Sequence, residues 1–417
     1  MEVCIIGAGM AGICTARHSL ANGFKTTVFE QTGAIGGTWV YSENIDKDEY
    51  GLEVHSSMYK SLRTNLPKEI MGFPDFPFPE QNDSYLPAEQ VLQFVKDYAD
   101  NFKVNEHIKF HHYVVRARPY DGKWEIVVKD LPNDKYLTYR FDYLFICNGH
   151  YEEPLCPDIQ GIENFKGEWM HSHYYREPSK FKNESVLVIG AGPSGKDIAE
   201  EISHVAKKVF VSHRNKKIEG AFSDKVVQKP DYIVIREGNI VEFSDGSKEQ
   251  ISKILYCTGY KFTFPFLSMD SGVTIVDNYV KPLYKQCISI NSPKLAFIGL
   301  CFRSLISHML DIQVRFVFTY FTGKKALPSR KEMLADMERD LKERELKGLP
   351  IRKGHMLWED LQEAYYDDLA KTAGIENLKP VIMKLYKENQ KSNKHSYLNF
   401  RNKKYRFLND EEFIEIH

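Results

Sequence analysis

No Cys-x-x-Cys pair occurs in the 417-residue chain, and its seven cysteines (4, 14, 147, 156, 257, 287 and 301) are scattered and odd in number. That argues against a disulfide framework and against a thiolate zinc site. Cys4, Cys147 and Cys257 sit in apolar runs and read as small buried hydrophobes. Long apolar runs are missing too: Tyr143 to Cys147 and Phe316 to Phe318 fall far short of the ~20 residues that cross a bilayer, so no transmembrane helix is expected. Neither sign of charge dominates. With 56 Lys+Arg against 57 Asp+Glu the formal charge is −1, which gives no bulk attraction to nucleic acid or to an anionic membrane. No cleavable leader precedes Glu2-Val3-Cys4-Ile5-Ile6-Gly7, so a soluble, cytoplasmic protein is expected; a signal peptide already removed, and secretion with it, would leave no trace. What is present is ordinary globular composition, 42% apolar and 27% charged, over a length that at ~150 residues per domain implies two or three domains.

Two segments repeat one another. Val3 to Gly7 reads as a buried strand, Gly7-Ala8-Gly9-Met10-Ala11-Gly12 as a glycine turn, Ile13 to Asn22 as a helix and Lys25 to Glu30 as the next strand. The same order returns in Ser185 to Ile189, Gly190-Ala191-Gly192-Pro193-Ser194-Gly195, Lys196 to Ala206 and Lys208 to Ser212. Each unit is followed by a hairpin pattern, turning at Asp121-Gly122 in the first and at Asp245-Gly246 in the second, and by an apolar strand ending at Cys147-Asn148-Gly149 or Cys257-Thr258-Gly259. After Leu295 to Gly299 the pattern becomes helical, with a capping box at Ser329 and Glu332 and a helix ending before Gly374. The charge-rich stretch after Asn377 reads as a solvated surface. The expected fold is α/β: a larger domain, residues 1–182 and 286–417, carrying C-terminal helices and interrupted by a smaller one, residues 183–285, both of the Rossmann-like dinucleotide-binding type.

A lone Gly-x-Gly-x-x-Gly is weak evidence, but each copy here follows a strand and opens a helix. In that setting Gly7, Gly9, Gly12 and Gly190, Gly192, Gly195 let backbone N–H groups approach a pyrophosphate at the positive end of a helix dipole. The two units end differently. Glu30 can accept hydrogen bonds from both ribose hydroxyls and would repel a 2′-phosphate, so the first site suits FAD or NAD. Ser212-His213-Arg214 offers a guanidinium and no acid, which suits NADPH, while Lys216 and Lys217 read as surface decoration. One FAD and one NADPH in a single chain describe a flavoprotein that takes hydride from NADPH. Without a close cysteine pair it is no disulfide reductase, and oxygen is the simplest remaining acceptor.

Phe165-Lys166-Gly167-Glu168-Trp169-Met170-His171-Ser172-His173-Tyr174-Tyr175 resembles the Phe-x-Gly-x-x-x-His-x-x-x-(Phe/Tyr) fingerprint of flavin-containing monooxygenases and lies between the glycine motifs, where that family has it. Gly36-Gly37-Thr38-Trp39, Thr64-Asn65-Leu66-Pro67, Phe73-Pro74-Asp75-Phe76-Pro77, Cys257-Thr258-Gly259-Tyr260 and Gln313-Val314-Arg315 are similar to family stretches, and the resemblance runs from residue 1 to about residue 330. The short chain looks like the insect branch that includes the pyrrolizidine alkaloid N-oxygenases. The resemblance implies that reduced FAD and molecular oxygen form a C4a-hydroperoxyflavin, shielded by bound NADP⁺, which oxygenates a soft nucleophile. A tertiary amine alkaloid or a thioether would be the substrate. It implies that Asn65 supports that chemistry, since an amide can both donate and accept hydrogen bonds; on its own, Asn65 before Leu66-Pro67 would pass for a turn residue.

The expected cofactor-binding set also takes in Gly37, Thr38, Trp39, Thr64, Leu66 and, at the second cradle, Ser194, Lys196 and Asp197. Gln313 either reaches the flavin from a helix or caps local backbone. His171 and Tyr175 are expected to be structural, and His308 a pocket wall or a surface histidine. Two residues depart from the common family pattern: Pro193, tolerated in a first helical turn, and Lys196. No metal site is expected, and homo-oligomerisation is left open. A Baeyer–Villiger monooxygenase acting on ketones, an FAD/NADP-binding sensor and an uncoupled NADPH oxidase would share most of these features; Tyr175 ends the fingerprint differently from the Baeyer–Villiger pattern.

Overall fold

The computed structural model describes residues 1–214, 217–358 and 360–416. Lys216 lies outside the described residues, whereas Lys217 is an exposed surface cation, 3.6 Å from Glu219. The chain builds two sheets on one plan. In the first, Glu2–Ile6 lies parallel between Lys25–Phe29 and Tyr143–Ile146; in the second, Ser185–Ile189 lies parallel between Lys208–Ser212 and Lys253–Tyr256. These central strands are buried almost throughout, which fits their near-continuous Val, Ile and Leu sequences. Outward, the first sheet continues through Ile108–Lys109 on one side and Leu295–Phe297, Ile288–Ser289 and Leu283–Tyr284 on the other, seven strands in all. The second has five, edged by Val226–Lys229 and Glu168–His171.

The edge strand Glu168–His171 carries the fingerprint, and its register with Lys253–Tyr256 draws residues counted above with the larger domain into the second sheet. Each sheet also carries a three-stranded antiparallel flap, His112–Tyr120, Lys123–Asp130 and Lys135–Phe141 for the first and Tyr232–Arg236, Ile240–Phe243 and Lys248–Gln250 for the second. Two stretches join the units, and they pair with each other as the short ribbon Glu153–Pro154 with Tyr260–Lys261.

Seven α-helices are present among the described residues: α1 Met10–Ala21, α2 Ala88–Asn101, α3 Pro193–Ser203, α4 Ile306–Phe321, α5 Arg330–Leu346, α6 Asp360–Ala373 and α7 Pro380–His395. α4 is buried on nearly every side, as its all-round apolar sequence requires, and packs in the main core with α1 and α6. The capping box at Ser329 and Glu332 is formed in both directions and opens α5.

The C-terminal stretch differs from the solvated surface expected of its charge. α7 buries Val381, Ile382, Met383, Leu385, Tyr386 and Asn389, because its apolar residues recur on one helical face while the lysines occupy the other. No helix is long and apolar enough to cross a membrane among the described residues.

Candidate active site

The two glycine loops share a geometry residue for residue. Gly7 and Gly190 adopt φ of +100° and +104°, and a Cβ at either would sit 2.6 or 2.5 Å from the carbonyl oxygen of Cys147 or Cys257. A Cβ at Gly12 would lie 1.8 Å from the Gly7 carbonyl oxygen, and at Gly195 1.9 Å from that of Gly190. Only glycine allows strand and helix to meet this closely. Gly9 and Gly192 cap α1 and α3 without any side-chain hydrogen bond, and neither helix has an acid in its first turn. The first N–H groups of both helices are thus left to a ligand rather than to a capping side chain.

In front of the first loop, Gly37 packs against Gly9, so Thr38 and Trp39 follow directly at its rim. A Cβ on Gly192 would meet nothing within 4 Å, and space is open before the second helix. Both cradles fit the pyrophosphate of a dinucleotide.

Glu30 closes the first site. It is buried, and its carboxylate accepts from the Ala8 N–H at 2.8 Å and from the Thr32 N–H and hydroxyl at 2.9 and 2.8 Å. Both of its oxygens are thus engaged by protein donors, Oε2 by Ala8 and Oε1 by Thr32, with lone pairs left over. At the matching place in the second site Arg214 is exposed and its Nε donates to Asp231 at 3.2 Å. His213 is buried, with Nε2 against Gln228 Oε1 at 3.0 Å.

Thr64 and Leu66 are buried and Asn65 between them is exposed. Thr64 is zipped to Leu86 by two hydrogen bonds of 2.8 and 2.9 Å. The Asn65 carbonyl accepts from Asn389 Nδ2 at 3.1 Å, and Asn389 in turn accepts from the Tyr85 hydroxyl at 2.7 Å. The backbone is thereby fixed while the Asn65 side-chain amide carries no hydrogen bond among the described residues.

Asp197, on α3, receives Arg401 through two hydrogen bonds of 3.0 and 2.7 Å, the Tyr397 hydroxyl at 2.8 Å and the Tyr59 hydroxyl at 3.3 Å. Arg401 also donates to the Thr64 carbonyl at 2.9 Å. One guanidinium therefore joins the nucleotide-binding helix of the second unit to the loop that presents Asn65. The Asp197 carboxylate is engaged by protein, not left open to a cofactor. Arg401, Tyr397 and Asn389 escape sequence inspection because they lie in the stretch read as surface, more than 190 residues from α3 or Thr64 along the chain.

Gln313 is fully buried and caps local structure: its Oε1 accepts from the Gly299 N–H at 3.0 Å and its Nε2 donates to the Tyr365 hydroxyl at 2.9 Å. His308 is buried in α4 rather than on the surface, and burial pushes its imidazole down to about 4. Tyr175 donates to Glu201 at 2.8 Å, and His171 packs edge-on against Tyr260 across the joining ribbon, a structural placement for both. Ser194 lies in the first turn of α3, and the Lys196 ammonium sits over the Tyr397 ring at 4.5 Å. Burial pushes the Cys147 and Cys257 thiols up to about 12, so neither supplies a thiolate for redox exchange.

A family model described as flavin-binding monooxygenase-like matches residues 1–222 and 216–408. The chain belongs to the flavin-binding monooxygenase-like family. As a member it is an oxidoreductase that uses FAD and NADPH, in keeping with the two cradles. Among this monooxygenase's relatives, the senecionine N-oxygenase of Tyria jacobaeae is 33% identical over 99% of this chain and 91% of its own length. The flavin-containing monooxygenase FMO GS-OX4 of Arabidopsis thaliana is 37% identical over 89% of this chain and 84% of its own. The solved structure of the S-allyl-L-cysteine S-oxygenase of Allium sativum superposes with a TM-score of 0.90 at 34% identity, covering 96% of this chain and 94% of that one.

Proposed function

We propose that this monooxygenase inserts one atom of molecular oxygen into a soft nucleophile, a tertiary amine nitrogen or a thioether sulfur. In the balanced reaction an amine, dioxygen, NADPH and a proton give the amine N-oxide, NADP⁺ and water; a thioether gives the sulfoxide in the same way. The observation that supports the reading is the setting of Asn65, whose amide carries no hydrogen bond among the described residues while its backbone is pinned by Asn389 and its loop is tied through Arg401 to α3. FAD, when bound, accepts the hydride and activates oxygen.

The chain's own residues do the rest. Gly7, Gly9 and Gly12 with the N–H groups of α1 hold the FAD pyrophosphate, Glu30 its ribose, and Gly37, Thr38 and Trp39 border the flavin. Gly190, Gly192, Ser194 and Gly195 hold the pyrophosphate of NADPH, and Arg214 its 2′-phosphate. The Asn65 amide offers a donor and an acceptor beside the reacting oxygen. The FAD-binding part is built on the seven-stranded sheet and the NADPH-binding part on the five-stranded sheet inserted into it.

The relatives named for N-oxygenation and for S-oxygenation support a nucleophile of either kind. The deciding experiment is NADPH oxidation with and without a panel of tertiary amines, thioethers and ketones, with products identified by mass spectrometry. N-oxides or sulfoxides are expected. Ester formation from ketones, or NADPH consumption that yields only hydrogen peroxide whatever the substrate, would overturn the proposal.

A further inference from the structure

Among the described residues, none between the turns Gly37–Trp39 and Lys68–Ile70 lies in a helix or strand. Structureless connections beyond ~12–15 residues are uncommon in a compact domain and usually functional. This one joins the two stretches read above as flanking the flavin, Gly37–Trp39 and residues 64–66. It is held by the end of the fingerprint. His173 is buried, and its Nε2 donates to the Val54 carbonyl at 3.0 Å. Arg176, the residue after the fingerprint, donates from Nε to the Ser42 carbonyl at 2.6 Å and from Nη2 to the Asn44 and Ser56 carbonyls at 3.4 and 3.0 Å. One guanidinium therefore grips the loop near both of its ends.

Arg176 is only 7% exposed, yet no carboxylate pairs with it among the described residues; Glu43 and Glu177 lie against Lys60 instead, at 3.8 and 3.9 Å. Its Nη1 donates to the His173 and Tyr175 carbonyls at 2.7 and 3.0 Å, so all five N–H groups of the guanidinium end on carbonyl oxygens. Burying a charge is costly unless its hydrogen-bonding capacity is filled, and burial does lower this guanidinium. That cost falls at a junction of the two units. The fingerprint strand Glu168–His171 belongs to the five-stranded sheet, whereas the loop leaves the turn whose Gly37 packs against Gly9 of the first cradle. Ser56 is shared between them: Arg176 holds its carbonyl, and its hydroxyl donates to the Thr38 carbonyl at 3.4 Å. Farther along, the Lys60 N–H donates to the Arg176 carbonyl at 2.9 Å, on the way to Thr64 and Asn65.

We propose that Arg176 is a positioning residue for the oxygenation site: it fastens residues 40–60 to the NADPH-binding sheet and thereby fixes the turn Gly37–Trp39 beside the flavin and keeps water from it. The proposal rests on the reading that Gly37, Thr38 and Trp39 border the flavin. It also accounts for the residue type, since a lysine ammonium has three donors and cannot serve five carbonyls arranged around a planar fork.

The test compares FAD-loaded wild-type protein with Arg176→Ala and the milder Arg176→Lys by hydrogen exchange, flavin fluorescence and substrate-free NADPH oxidation, in which NADPH, dioxygen and a proton give NADP⁺ and hydrogen peroxide. In Arg176→Ala, amides of residues 40–60 should exchange roughly tenfold faster while those of Glu2–Ile6 and Ser185–Ile189 keep wild-type rates. Flavin fluorescence should change, and peroxide-forming turnover should rise about fivefold with the KM for NADPH within about twofold. Arg176→Lys should fall between, and millimolar ethylguanidinium, but not ethylammonium, should restore slow exchange to Arg176→Ala. Folded variants whose loop exchanges as slowly as wild type overturn the proposal and leave the flavin-bordering reading intact. Faster exchange throughout both sheets, or failure of both variants to hold FAD, overturns it too, because Arg176 then supports the whole fold. If the loop loosens while flavin fluorescence and NADPH oxidation stay unchanged, the reading of Thr38 and Trp39 fails and this proposal with it.

Discussion

Arg401→Met removes the guanidinium that joins α3 to the Thr64 carbonyl while keeping an unbranched stem over the Phe400 ring, which the guanidinium carbon approaches at 4.7 Å. Both members of the pair are mostly shielded, Arg401 at 18% and Asp197 at 17% side-chain exposure, so the interaction is poorly screened by solvent. Breaking a fully buried pair costs ~3–5 kcal/mol, chiefly by stranding the remaining charge. Here the stranding is incomplete, because the Tyr397 and Tyr59 hydroxyls still donate to Asp197. The expected loss is therefore about 2–3 kcal/mol, the value of hydrogen bonds to a charged group without the full penalty of an orphaned carboxylate.

Asp197→Asn should cost less, and the double variant should cost less than the sum of the two, with a coupling energy of about 1–2 kcal/mol. Urea unfolding followed separately by circular dichroism and by flavin fluorescence measures all three, and the flavin signal should be lost at lower urea than the helix signal in Arg401→Met. Additive effects, with coupling below about 0.5 kcal/mol, would show that the pair is solvated and that no tie exists between the two units at this point.

Three further outcomes follow from the same geometry. Asn65→Ala should keep FAD and be reduced by NADPH at close to the wild-type rate, yet release hydrogen peroxide in place of oxygenated product, since a polar partner lost once bound coenzyme covers the exposed amide costs ~1–3 kcal/mol; unchanged coupling in oxygen-electrode and peroxide assays would make Asn65 a loop residue only. Gly12→Val should abolish the yellow flavin spectrum, because its Cβ would lie 1.8 Å from the Gly7 carbonyl oxygen; stoichiometric FAD in purified protein would contradict the assignment. Burial, then the charges of Arg344 and His150, push His355 down to about 3, and its Nε2 accepts from the Val280 N–H. A histidine held neutral in the fold contributes stability that is fully present above the ordinary imidazole range and is lost as pH falls toward 3, amounting to about 2 kcal/mol by pH 5. His355→Gln should flatten that limb of the urea midpoint against pH; an identical slope would refute the contribution.

What can be read from the chain and what cannot divides along sequence distance. The spacing of the glycine loops, Glu30 and the capping box at Ser329 lies within about twenty residues, so residue type and order disclose them, even though Gly7 and Gly190 also meet the distant Cys147 and Cys257 carbonyls. The α/β repeat follows from the same local grammar. Asp197 and Gln313 show where such grammar stops. Both stand in or beside stretches that look like cofactor contacts, yet Asp197 answers to Arg401 and Gln313 to Gly299 and Tyr365, partners that only the folded chain supplies. α7 defeats a reading by composition for a related reason: counting its charges hides the apolar stripe that they flank. Asn65 is found through its motif, but the asparagine that pins its carbonyl, 324 positions away, leaves no mark in the linear order.

That last contact also sets a schedule for how the enzyme is made. A ribosome completes both glycine loops, both sheets and α4 before Asn389, Tyr397 and Arg401 are synthesised, and units of this kind fold as they emerge. For that interval the nascent chain has its two nucleotide folds, while the loop bearing Asn65 lacks its anchor and α3 lacks its tie. Contacts that close such long loops form late, because the entropy of closure precedes their reward. The two nucleotide folds can thus form ahead of the contacts that fix the Asn65 loop and tie α3 to it.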